Sequence, residues 1–102
     1  MATVSKTFFR GAATTTVGTT LYTVPAATTS VVTSIVVTNT AAAVGNFTIG
    51  LAGTNLATSV TVGANDSTVI DLKQPLIATN TITGGASATT INFHISGVEI
   101  TA

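Results

Sequence analysis

Charge is the scarcest ingredient of this chain. Of 102 residues only Lys6, Arg10, Lys73, Asp66, Asp71 and Glu99 carry it, for a formal net charge of zero, and none lies between Arg10 and Asp66. Three scattered cations form no basic patch, so binding to a nucleic-acid backbone is not expected. Cysteine is absent, which excludes disulfides and thiolate metal sites. Trp is absent and Tyr22 is the single Tyr, so the aromatic platforms that sugar-binding sandwiches often use are missing. Long apolar runs are absent too. Thr and Ser interrupt each one, and nothing approaches the roughly 18 consecutive apolar residues of a membrane helix. The opening stretch MATVSKTFFRGAATTT lacks a long apolar segment, so no secretory signal is expected there.

What the chain has instead is Thr, at 24 of 102 residues, with frequent Val and Ile. All three are β-branched and favour strands, and almost no helix is predicted. Alternation of period two supports this. It places Phe47, Ile49 and Leu51 on one face, Leu56, Thr58, Val60 and Val62 inward with Ala57 and Ser59 outward, Ile70 and Leu72 inward, and Ile91, Phe93 and Ile95 inward with Asn92, His94 and Ser96 outward. Turn-rich stretches separate these runs: VPAA at 24–27, NTAAAVGN at 39–46, AGTN at 52–55, GANDS at 63–67, KQP at 73–75 and TGGAS at 83–87. Seven or eight short strands at intervals of about a dozen residues or fewer predict an all-β antiparallel sandwich or barrel. The length fits one domain.

Two places break the alternation. In the strand predicted at about 28–38, Val31, Ile35 and Val37 share one face while Val32 and Val36 occupy the other. A strand apolar on both faces is either central or set against a neighbouring subunit, which makes Val32 and Val36 candidate assembly contacts. Near the end, Val98 and Ile100 fall outward. A bulge at Gly97 is expected to return them to the core and turn Glu99 outward. Residues 1–13, with the pair Phe8–Phe9 and two of the three cations, read as an N-terminal arm or edge strand before a sandwich domain at 14–102. Phe8, Phe9 and Arg10 are therefore further contact candidates, and removal of residues 1–10 is expected to leave the fold intact.

No reaction is legible. His94 is the one base candidate, and Glu99, five residues on, lies on the opposite face of a regular strand; no nucleophile turn accompanies them. No catalytic, cofactor-binding or metal-binding residue is assigned. Asn65, Asp66 and Ser67, with Asp71, offer oxygen atoms but read as a polar turn rather than a calcium site. An uncharged β surface instead fits edges and faces covered by neighbours.

The segment TTLYTVPAATTSVVTSIVVTNT, followed by VGANDSTVIDLKQPL, TITGGASAT and INFHISGVEI, resembles a pattern in small structural proteins of tailed bacteriophages, over about residues 17–100. The resemblance implies a jelly-roll-like sandwich without enzymatic activity, used as a virion building block. Such proteins decorate the capsid as cement proteins, often as trimers, or sit on the tail, neck or fibre. It implies as partners the major capsid protein or other virion proteins and further copies of the chain, with neither nucleic acid nor membrane. It also implies a place in the virion after synthesis in the host cytoplasm. A host-surface glycan-binding module is the remaining alternative.

Overall fold

The computed structural model describes residues 2–101. Eight strands follow one another: β1 (Ala2–Ala12), β2 (Thr19–Thr23), β3 (Thr28–Asn39), β4 (Gly45–Leu51), β5 (Thr54–Val62), β6 (Ser67–Leu76), β7 (Thr81–Ala86) and β8 (Ile91–Thr101). No helix occurs among the described residues. The strands form two four-stranded antiparallel sheets, β1-β8-β3-β6 and β2-β7-β4-β5. Only β4 and β5 are consecutive within a sheet; every other connection crosses between sheets. This order is a jelly roll, two interleaved Greek keys closed into a sandwich. Residues 2–12 are an edge strand of the first sheet.

The inner faces meet through side chains that alternation had marked. Phe47, Ile49 and Leu51 of β4 pack against Ile91, Phe93 and Ile95 of β8, with Ile35, Val37 and Ile82 also buried. The Phe47 and Phe93 rings meet edge-on at 6.1 Å and 70°, a favoured aromatic geometry. At the other end Phe8 and Tyr22 join the sheets, with centroids 4.6 Å apart.

The faces that the sequence misassigned in β1, β3 and β5 lie beside bulges. β3 carries one extra residue between Val32 and Ser34. Thr33 is exposed there, and the inward set becomes Thr28, Ser30 and Val32 before it and Ile35 and Val37 after it. Val32 is thus fully buried and is a core residue, not an assembly contact. Phe8 is the extra residue of β1, between Thr7 and Phe9. At 6% exposure it too belongs to the core, so it is not a contact and deleting residues 1–10 would remove core packing. In β5 the register shifts twice against β4. Ser59 takes a positive φ of 48° and its N–H donates to Thr48 Oγ1 at 3.0 Å. Leu56 therefore faces solvent, while Ala57 packs on the core.

Gly97 shows the reverse of the expectation. β8 runs through it in unbroken register, and the bulges sit on its neighbours β1 and β3. Glu99 consequently stays on the inner-face phase, with Val98 and Ile100 on the outer one. Gly97 is buried, and a Cβ there would overlap the Val31 carbonyl oxygen and lie 2.8 Å from the Phe8 ring. Gly97→Ala is expected to cost about 3 kcal/mol, read as a lowered denaturant midpoint. The β4–β5 turn has both central residues, Ala52 and Gly53, at positive φ (52° and 80°), the geometry that favours Asn-Gly. Ala52→Asn is expected to raise stability by about 0.5–1 kcal/mol in the same assay.

Candidate interaction surface

The outer face of the β1-β8-β3-β6 sheet follows directly from its register. One transverse row is Ser5–Val98–Val31–Pro75, and another is Arg10–His94–Val36–Val69. Between them runs Thr7–Ser96–Ser34–Asp71. Two partly apolar rows thus flank one rich in hydroxyls. The irregularities of β1, β3 and β6 all fall at this middle level: at Phe8, at Thr33 and across Leu72–Lys73. Three strands that insert residues at one level kink a sheet. Two shallow depressions of about 470 and 330 Å³ lie at this level and share Thr33. Asp71, Leu72 and Lys73 line the first; Ser5, Lys6, Thr7, Ser96 and Gly97 line the second. Thr33 Oγ1 donates to the Ser96 carbonyl at 3.4 Å.

The opposite sheet is partly covered on its outside. The β1–β2 loop lies over β7: Ala86 N–H donates to the Thr14 carbonyl at 2.9 Å, and a Cβ at Gly85 would overlap the Thr16 carbonyl oxygen.

Among the candidate contacts, Arg10 and Val36 share one row of the outer face, Arg10 exposed and Val36 half-buried. Phe9 packs partly against the core. Phe8 and Val32 lie inside, so the five residues do not form one surface.

His94 is exposed on the outer face, whereas Glu99 points to the inner side, so they form no dyad. Asp66 accepts the Ser67 N–H at 2.8 Å within the β5–β6 turn, while Asp71 stands on the outer face. No group of three or more His, Cys, Asp or Glu able to hold a metal is found among the described residues.

The polar cluster that sequence reasoning missed is Tyr22, Ser30 and Glu99. The Tyr22 hydroxyl donates to Glu99 Oε2 and lies 3.0 Å from Ser30 Oγ. Its signal was available: an unbroken alternation from Ile91 onward places residue 99 inward, opposite the β2 aromatic. The cluster closes one end of the sandwich. At the other end, buried Asn39 donates to the carbonyls of Ala43 (2.8 Å) and Gly63 (3.3 Å) and accepts the Ala41 N–H (3.1 Å), tying two loops together.

Comparison with protein-family models, with curated proteins and with solved structures found no match to the chain.

Burial, and then the bond to Glu99, raise the pKa of Tyr22 above its ordinary value of 10.0. The folded state therefore keeps the phenol protonated where the unfolded chain has begun to lose its proton. Tyr22 contributes stability below pH 10 that is lost as pH rises through the folded value. Because Tyr22 is the single Tyr and Trp is absent, the phenolate absorbance band reports this group alone. Its midpoint is expected above 10, falling to about 10 in denaturant. Tyr22→Phe is expected to flatten the alkaline fall in stability.

Proposed function

We propose that the chain is a non-enzymatic structural protein of a bacteriophage virion, a decoration protein that binds the major capsid shell. The observation that carries this reading is the outer face of the β1-β8-β3-β6 sheet. It presents Val31, Val98 and Pro75 in one row and Val36 and Val69 in another, with its charged side chains on the edge strands, Arg10 on β1 and Asp71 and Lys73 on β6. The apolar rows gain from burial against a neighbour, while the charged groups stand at the rim, where they can stay solvated. The jelly-roll order supports the reading, since that architecture serves viral capsids, although it serves lectins as well. The phage-like strand-and-turn pattern of residues 17–100 supports it further. The bound shell, rather than a reaction, is then the object of the surface.

Copy number tests this reading. Intensity-based mass spectrometry of the source particle is expected to show this chain at a simple ratio to the major capsid protein. A ratio of a few per cent would move it to the tail or neck, and absence from the particle would overturn the virion role. Val36→Lys combined with Val98→Lys is expected to abolish retention on particles. Both side chains face outward and are half-buried, so the fold should lose about 1 kcal/mol per site. Undiminished occupancy of that variant would reject this face as the contact.

A further inference from the structure

The four strand edges of the sandwich are not treated alike. β2 is five residues long and irregular between Thr20 and Tyr22. β5 is shifted twice against its neighbour and kinked at Ser59. β6 carries Pro75 and an irregular stretch at Leu72–Lys73. Short length, bulges and proline are the devices by which proteins blunt an edge. β1 differs. From Ala2 to Thr7 it pairs in unbroken register with Thr101 to Ser96 of β8, without proline, and its first bulge comes only at Phe8. All six of these residues are exposed, including inward-phase Val4 at 53%.

We propose that this open edge pairs antiparallel with the same edge of a second copy, about a two-fold axis at Val4. The sequence of the run is complementary to itself in that register. Val4 faces Val4 of the second copy, Thr3 faces Ser5, and Ala2 faces Lys6. Apolar meets apolar, hydroxyl meets hydroxyl, and the single charge of the run meets a methyl group rather than its own copy. A register centred on Ser5 would set Val4 against the Lys6 ammonium twice, and one centred on Lys6 would set like charges directly opposite. The two-fold keeps each inner face on the same side, so the two four-stranded sheets become one of eight strands. Such a contact differs in symmetry from the trimers that the phage resemblance implies, and it does not depend on the virion reading.

A contact of about six residues per chain is smaller than a stable dimer requires, so the association is weak and concentration-dependent. Sedimentation equilibrium of the intact chain is expected to show a monomer–dimer equilibrium. Val4→Lys places two ammonium groups face to face and is expected to weaken it about tenfold. An equimolar mixture of Val4→Lys and Val4→Glu is expected to restore it as a heterodimer. Because the chain has no cysteine, Val4→Cys gives a single thiol, expected under mild oxidation to form a covalent dimer faster than Val69→Cys. Val69 is comparably exposed, at 59%, but lies on the outer face of β6. Circular dichroism of each variant establishes that it is folded. Wild-type chain that stays monomeric at the highest attainable concentration would overturn the proposal. So would undiminished association of Val4→Lys, or equal cross-linking of the two cysteine variants.

Discussion

β8 must run straight for eleven residues at the centre of its sheet while the strands on both sides each insert an extra residue beside Ser96 and Gly97. That mismatch organises much of the molecule. It is possible because position 97 has no side chain: the Val31 carbonyl and the Phe8 ring occupy the space that a Cβ would need. Phe8, displaced by its bulge, reaches the core and stacks near Tyr22. Tyr22 in turn meets Glu99, which an unbulged β8 keeps on the inner side. One glycine thus governs the joint between the sheets at this end, the burial of Val32 and the furrow outside.

The same constraint links packing to surface. Because Val32 turns inward, the outer face receives Val31, which lines up with Val98 and Pro75. Because the irregularities share one level, hydroxyls and the Asp71 carboxylate fall between the two apolar rows instead of being scattered. The result is a face whose apolar centre lies on β3 and β8 and whose charges, Arg10, Asp71 and Lys73, lie on the edge strands. Regular edges elsewhere are broken by length, bulge or proline, and the one left regular lies beyond Phe8 on β1. Core, face and edge are therefore three consequences of where extra residues enter the strands.

Much of this architecture was legible in the residues. Thr, Val and Ile in alternation between turn clusters indicate seven or eight antiparallel strands, and the inward residues of β4, β6 and β8 up to Ile95 follow from parity alone. The candidate contacts were less legible. Arg10 and Val36 do fall on one outer row, but Phe8 and Val32 are core. Each error has the same cause: a bulge reverses parity, and nothing local in TSVVTS or KTFFRG announces one. At Gly97 the local cue was present but misleading, because the glycine accommodates its neighbours' bulges rather than making its own.

By itself the sequence determined the class of structure, the scarcity of charge, the lack of cysteine and tryptophan, and most of the core, since these depend on composition and on a period of two. Only the tertiary structure decided the strand order, the faces of Val32, Ala57 and Glu99, and the edge left open. Those depend on register between strands distant in sequence, where a single inserted residue turns every side chain beyond it to the other face.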